Sequence, residues 1–503
     1  MKVGFSIIFL IVFLSHSAGY ANNADDPPDG CTIGVACGRA TTDGRPLLWK
    51  TRDGSTLDNE VCFITSHTYH FISVISAGIT SSSWMGVNEK GFAIINSYSP
   101  DLPPGTTGMG NGTFMAYALG NCATVVDFEQ LLISTNSSGR MTQANFGVID
   151  TTGAAAIFET GGNEFWKFDA TDTNRAPEGY ILRTNFAMQG EGSSGIERYN
   201  RTVTLVGAFH SGDSLNHKSI LRYQMRDFSD TYSNPFPIPF DGQIGSYYPH
   251  GYIYADYSIC RSSTISTAVI HGVKQNELAK FSTMWVILGQ PAGGIAVPYW
   301  PVGHTPADAN GHSTAPLCDT ANLIRSQLFD FLQYPNYIDT YKLRDQDGHG
   351  IWEHMFTAED SIQAATYALL EEGRVNVLTD ALLLAAESEF ADYAHKKLVT
   401  ICDILSAIVQ SSHKKAVTYA LSGNYPNPFN SSTSFTFTLP KSEYVRVDIF
   451  NILGQKVTTI IHEFFSVGTH EIDLHADELS SGIYFYRIQA GEFSDMKKMI
   501  LIK

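Results

Sequence analysis

Asp29-Gly30-Cys31-Thr32-Ile33-Gly34-Val35-Ala36-Cys37 is the stretch on which the reading of the chain turns. From Cys31 to Cys37 small and apolar residues alternate, as in a buried strand. Thr42-Asp43-Gly44-Arg45 reads as a turn, and Pro46 to Lys50 as a returning strand. If the Gly30–Cys31 bond is cut, Cys31 carries a thiol and a free α-amine on one residue. An α-amine has a pKa of about 7.7–8.0, so near neutral pH it can take the thiol proton and return it. Gly30 permits the unusual backbone that self-attack on this bond requires. A nucleophile and its base would then need no histidine, and the 16 His of the chain are scattered, with no convincing Cys–His pair.

Upstream, Lys2, the apolar run Ser6 to Leu14 and the small residues ending at Ala21 read as a secretory signal over 1–21. The run is shorter than the ~20 residues a spanning helix needs. No other segment is long and apolar enough, so no transmembrane segment is expected in the mature protein. Residues 22–30 are polar, acidic and Pro-containing, as in a short propeptide. Translation therefore cannot itself expose Cys31, and a processing step at Gly30 is required.

The chain has 503 residues, enough for about three domains. Its net charge is −17 with no long basic run, which argues against a nucleic-acid partner. The seven cysteines form no CxxC pair, so no zinc site is expected; no other metal and no cofactor is expected either. In an exported protein their odd number leaves one thiol over. The plain reading is a buried free cysteine; the sharper one is a catalytic thiol.

Downstream, strands are expected at Tyr69 to Ala77 and in a hairpin of Ser83 to Val87 and Phe92 to Asn96, with Gly91 supplying positive φ. Residues 100–112 read as a loop, and Thr113 to Leu119 and Val125 to Ser134 as helices. Strands resume at Phe146 to Asp150, Ala154 to Glu159, Glu164 to Phe168 and Tyr180 to Phe186. Residues 195–255 read as aromatic, polar and loop-rich. Strands return at Ser263 to Ile270, Met284 to Leu288 and Ile295 to Tyr299. Ala321 to Leu332, Ala358 to Glu372 and Val375 to Val409 show helical spacing. Asp345-Gln346-Asp347-Gly348 lacks the remaining ligands of a calcium loop and reads as a solvated turn. The last ~85 residues hold short alternating strands at sandwich-like spacing.

Two resemblances follow from these motifs. Asn424 to Asn430, Val445 to Asn451 with Gly454, Gly468-Thr469-His470, Ser481 to Tyr486 and Lys497-Lys498-Met499 resemble the C-terminal sorting domain of type IX (Por) secretion substrates of Bacteroidetes-like bacteria. This implies handling by the type IX machinery and a secreted or surface-attached protein. Gly30-Cys31-Thr32, Leu47 to Asp53, Gly86 to Asn96 and Leu182 to Phe186 resemble N-terminal nucleophile (Ntn) hydrolases of the linear-amide group. These include choloylglycine hydrolases, penicillin V acylases and the acyl-coenzyme A:6-aminopenicillanic acid acyltransferase-like family. Cys260 to Thr264 and Met284 to Gly289 are also similar.

The resemblance implies an α+β fold: a four-layer αββα Ntn sandwich with a helical extension, then a small all-β sandwich. Expected boundaries are 1–21 signal, 22–30 propeptide, 31–320 catalytic domain, 321–412 helical segment packed on it, 413–420 linker and 421–503 sorting domain. It implies Cys31 as nucleophile, Asp53 holding its amine, Asn96 and Asn185 as oxyanion donors, and Arg261 and Lys50 completing the site. The choloylglycine pattern has Arg at Lys50 and Asn at Thr51; Arg52 could take over the charge. The expected activity is hydrolysis of a small-molecule linear amide through a thioester. A cysteine dipeptidase (the start CTIGVACGRATTDG is also similar to that group), an acyltransferase and an inactive surface-binding protein are the alternatives. The 228–257 stretch either lines an acyl pocket or packs its own aromatics.

Overall fold

A computed structural model describes residues 30–229, 238–240, 242, 248–311, 314–331, 333–334, 336–415, 419–465 and 468–503. The expected signal sequence, all of the expected propeptide except Gly30, and part of the 228–257 stretch lie outside the described residues.

The strands in chain order are β1 Thr32–Ala36, β2 Leu47–Asp53, β3 Asn59–Ile64, β4 Phe71–Ser76, β5 Met85–Asn88 and β6 Ala93–Tyr98. Helices α1 Asn111–Asn121 and α2 Val125–Thr135 follow, then β7 Ala144–Ile149, β8 Ala155–Thr160, β9 Phe165–Asp169, β10 Tyr180–Arg183 and helix α3 Ile196–Ser211. After these come β11 Tyr252–Tyr254, β12 Thr264–His271, β13 Thr283–Leu288 and β14 Val297–Tyr299. One sheet runs β10-β1-β2-β12-β13-β14; a second is the meander β3 to β9.

Side-chain alternation builds the layers. On β4, Ile72 and Val74 join Ile33 and Val35 in a core between the sheets, while Phe71 and Ile75 face α1 and α2. On β8, Ala155 and Ile157 take the first side and Ala156 and Phe158 the second. Phe128 of α2 sits edge-on to Phe146 and Phe158, closing the outer layer. Helices Pro316–Leu328, Ile351–Val375 and Asp380–Lys415 pack their apolar residues into the large core that includes the first sheet. The result is the α+β, four-layer αββα arrangement.

Strand β2 stands apart. All seven of its residues are buried, although Lys50, Arg52 and Asp53 carry charge. Charges are held at such depth only when paired and hydrogen-bonded. Leu47-Leu48-Trp49 anchors the strand, and its charged half runs toward the candidate site.

The tail forms its own sandwich. Ala420–Leu421, Ser432–Leu439 and Gly468–His475 make one sheet; Lys456–Phe465, Glu443–Asn451, Gly482–Ala490 and Phe493–Leu501 make the other. Phe435, Phe437, Val445, Val447 and Tyr486 fill a core separate from that of the preceding region. Among the described residues, no helix is long and apolar enough to cross a membrane.

Several expectations need correction. The 195–255 region is not all loop: α3 occupies sixteen residues of it. The 100–112 loop ends earlier, because α1 begins at Asn111. Strand β3 was not anticipated, since Asn59-Glu60 at its start reads as polar turn. Val375 closes one helix rather than opening the next, and the helix expected over Ala321 to Leu332 runs Pro316–Leu328. The parity argument for a spare thiol also fails: all seven cysteines are buried and none is in a disulfide.

Candidate active site

Cys31 lies at the head of β1, and Thr32 pairs with Thr51, so the nucleophile candidate enters where β2 ends at Asp53. Gly30 has φ +61, the left-handed region that favours glycine. The centre of this corner is Arg198, buried, on α3. Its Nη1 donates to the carbonyl oxygens of Gly30 and Cys31, both at 2.7 Å, and to Thr32 Oγ1 at 3.1 Å. Its Nη2 donates to Asn185 Oδ1 at 2.9 Å. One guanidinium thus grips the backbone on both sides of the Gly30–Cys31 bond.

Asp53 is fully buried beside this fork. Thr264 Oγ1 donates to its Oδ1 at 2.6 Å, and Arg261 Nη1 lies 3.4 Å from its Oδ2. Burial pushes the Asp53 carboxyl above its ordinary value, against the pull of Arg261, Arg198 and the Thr264 hydroxyl. Burial lowers the Arg198 guanidinium, while Asp53 raises it, Arg261 lowers it and Cys31 raises it. Arg198 therefore feels both the carboxylate and the thiol, and a cation near a thiol favours its reactive thiolate.

Residues 40–238 match the family described as acyl-coenzyme A:6-aminopenicillanic acid acyl-transferase, and residues 424–503 match the secretion system C-terminal sorting domain. The chain is thus similar to the acyl-transferase family over residues 40–238 and carries a secretion sorting tail over residues 424–503. The sorting tail assigns the protein to the cell surface or the exterior. No curated protein matches the chain. Similar solved structures include a mutant conjugated bile acid hydrolase from Clostridium perfringens, at 12% identity over 51% of this chain and 89% of that one, with a TM-score of 0.32. Penicillin V acylase from Agrobacterium tumefaciens is 12% identical over 54% of this chain and 85% of that one, with a TM-score of 0.33. Dimeric latent PorU from Porphyromonas gingivalis is 20% identical over 17% of this chain and 9% of that one, with a TM-score of 0.15.

The candidate residues fall into two linked groups. Gly30, Cys31, Asp53, Asn185 and Arg261 gather around Arg198. Lys50 and Asn96 form the second group: Lys50 Nζ donates to Asn96 Oδ1 at 2.7 Å and to the Trp84 carbonyl at 3.3 Å. Period-two alternation puts Lys50 and Arg52 on one face of β2 and Thr51 and Asp53 on the other. Arg52 donates to Asn59 Oδ1 at 2.5 Å and lies 4.4 Å from the Trp84 ring centre. It is thereby occupied at the far edge of that face, which leaves Lys50 as the cation against Asn96.

Residues next to the two asparagines join the groups. Ser97 Oγ donates to the Thr184 carbonyl at 2.5 Å, and Asn185 Nδ2 to the Tyr98 carbonyl at 2.8 Å. Asn145 Nδ2 donates to the carbonyls of Thr184 and Phe186 at 3.2 and 3.1 Å. The chain after β10, which belongs to the first sheet, is thus tied to β6 and β7 of the second. One proton of the Asn185 amide is committed to Tyr98, and Asn96, whose Oδ1 accepts from Lys50, keeps its Nδ2 to donate elsewhere.

Arg198 was absent from the sequence-derived set. Its signal was present: Arg198, Thr202 and Val206 recur every four residues and are the buried residues of α3. An arginine at the first such position hides the stripe, because it scores as polar. Three other thiols are held in their protonated form. Burial pushes Cys122 and Cys260 up to about 12 and Cys318 up to about 11.

An ideal Cβ on Gly30 would lie 2.3 Å from Arg261 Nη1 and 2.5 Å from Arg198 Nη2. These guanidinium ends cannot swing away freely, since each is held by buried acceptors. Gly30→Ala is therefore expected to slow cleavage at residue 30 by at least tenfold. Intact mass of the secreted chain over time measures it, and cleavage at the wild-type rate would refute the fit.

Proposed function

We propose that the protein is an exported cysteine amidohydrolase that matures by cutting itself between Gly30 and Cys31. The observation that carries this reading is the Arg198 fork on the Gly30 carbonyl, 2.7 Å away, at the residue directly before the candidate nucleophile. Cys31 Sγ attacks the Gly30 carbonyl carbon. The oxygen takes negative charge against Arg198, the C–N bond breaks, and the Cys31 nitrogen leaves with a proton as a free amine. Water then cleaves the Gly30 thioester, releasing the Gly30 carboxylate and restoring the thiol.

The mature site repeats the chemistry on a substrate amide. The α-amine accepts the thiol proton, and Sγ attacks the acyl carbon. The resulting ammonium protonates the departing amine, and water hydrolyses the acyl thioester. Asp53 holds the amine; Arg198, Asn96 and Asn185 are the donors available to the oxyanion, each such donor contributing about 3 kcal/mol. Coenzyme A is a poor candidate donor outside the cell, so water is the acceptor. Crowding of the Gly30 Cα by the two arginines favours acyl groups with an unbranched α-carbon, and thus N-acyl amides over dipeptides carrying an L side chain there.

The test is the N-terminal mass of the exported protein after incubation with N-acyl amino acids, penicillin V and dipeptides. A terminus at Cys31 and an acyl adduct on it support the reading; a mature terminus elsewhere sinks it. Asp53 adds a pH signature. Its carboxyl keeps its proton to higher pH than the ordinary 3.8, and only the ionised form can hold an ammonium. The acid limb of kcat/KM should therefore lie above 3.8, activity rising with pH through it, and Asp53→Asn should lose the limb with most of the rate. A limb unchanged in Asp53→Asn would assign the titration to another group.

A further inference from the structure

A second cavity lies at the opposite end of β2. It is bounded by the turn that carries Asp43 and Arg45, by the ends of β12 and β13, and by helix Ile351–Val375, and it encloses about 350 Å³. His271 pairs with Leu47 and Thr264 with Asp53, so the length of β2 separates it from the candidate active site, about 20 Å at ~3.3 Å per residue.

Its lining combines compensated charge with uncompensated polarity. Arg45 Nη1 lies 3.0 Å from Asp43, His271 Nε2 lies 2.9 Å from the same carboxylate oxygen, and Glu277 takes Arg45 at 2.5 Å and Arg374 at 3.3 Å. These charges answer one another, and the remaining cation of the lining, Lys218, is exposed, so the buried part of the cavity asks for no ion. By contrast, Trp285 Nε1, His217 Nδ1, Gln363 Oε1 and Thr366 Oγ1 are buried without a hydrogen-bond partner among the described residues. Trp285, Gln363 and Thr366 are 2%, 3% and 2% exposed. The His217 ring stacks on Trp285 at 5.4 Å and on His271 at 4.7 Å, which fixes it as a wall. Orphaned buried polar atoms each cost about 1–3 kcal/mol, so four around one cavity need an explanation.

We infer that this cavity binds a small uncharged primary carboxamide on an apolar or aromatic body. The amide carbonyl would accept from Trp285 Nε1, and its NH2 would donate to Gln363 Oε1, leaving Thr366 and His217 to complete the polar contacts. The apolar body would lie toward Leu370 and Tyr367, which also line the cavity. The volume falls in the usual range for small-molecule sites. This site is independent of the chemistry at Cys31.

Calorimetric titration of the full-length mature protein with benzamide and nicotinamide tests it, with Trp fluorescence as a second readout. Binding is expected in the millimolar range or tighter. It should be the same after iodoacetamide has blocked Cys31, and at least tenfold weaker in Gln363→Leu and in Trp285→Phe. Replacing the orphaned Gln363 side chain by an apolar one of similar shape is close to neutral for folding, so Tm should hold in Gln363→Leu; Trp285→Phe leaves a cavity and should lower Tm, so its titration is run well below its own Tm. The proposal is overturned if neither amide binds at millimolar concentration, if both variants bind like wild type, or if alkylation of Cys31 abolishes binding.

Discussion

Cys31→Ala should yield an exported chain that keeps the Gly30–Cys31 bond and has no amide turnover. On the proposed chemistry the thiol performs both the self-cleavage and the catalytic attack, so one substitution removes both. Loss of a nucleophile typically lowers kcat on the order of 10⁶-fold, which places the variant at the assay floor. Two measurements separate this from misfolding: intact mass, and thermal unfolding compared with wild type. Cys31 is small, and its replacement by Ala removes only the sulfur, so the fold should persist. A Cys31→Ala chain cut at the same bond would mean that another protease does the processing. Full turnover in that variant would remove Cys31 from the mechanism altogether.

Arg198→Met should give the second largest effect, and it should appear in stability as well as rate. The guanidinium serves four acceptors on two segments: the Gly30 and Cys31 carbonyls and Thr32 Oγ1 on one, and Asn185 Oδ1 on the other. Methionine fills much of the volume and supplies no donor. Breaking a buried charge arrangement by removing one partner costs about 3–5 kcal/mol. Here Asp53 retains Arg261 and Thr264, so a loss near the lower end is expected. Loss of an oxyanion donor slows the chemical step by about 10²–10³-fold. Arg198→Lys should recover part of the stability through charge but little of the rate, because an ammonium cannot span the forked set of acceptors. Tm, the half-time of processing and a kcat-against-KM comparison distinguish the roles. A fall in Tm with unchanged processing would make Arg198 a structural clamp only.

Much of this architecture was legible in the chain. Alternating residues in β1, β4 and the β5–β6 hairpin announce strands because each side faces a different packed layer. The tail was legible for the same reason: its strands carry one buried face each and short turns between. Candidate residues Cys31, Asp53, Asn185 and Arg261 were legible through motif order. What the sequence hid were features that break the hydrophobic code. Helix α3 carries its buried stripe on Arg198, Thr202 and Val206, of which only Val206 is apolar. Strand β2 buries charged residues that a periodicity argument assigns to a surface. The partnership of Lys50 with Asn96 joins positions 46 residues apart on different sheets, and no local pattern encodes it. Cysteine parity misled because none of the seven thiols is in a disulfide.

The grip of Arg198 on both flanks of one peptide bond has a consequence for how the site comes into being. On the proposed chemistry, Gly30 as the end of the leader occupies, before the cut, the place where a substrate acyl group would later lie. On that chemistry the Gly30 carbonyl is a casting for the acyl seat, held by Arg198. Cleavage by that route would leave the guanidinium its hold on the Cys31 and Asn185 sides and remove one acceptor. What remains is a socket already shaped and already short of one oxygen.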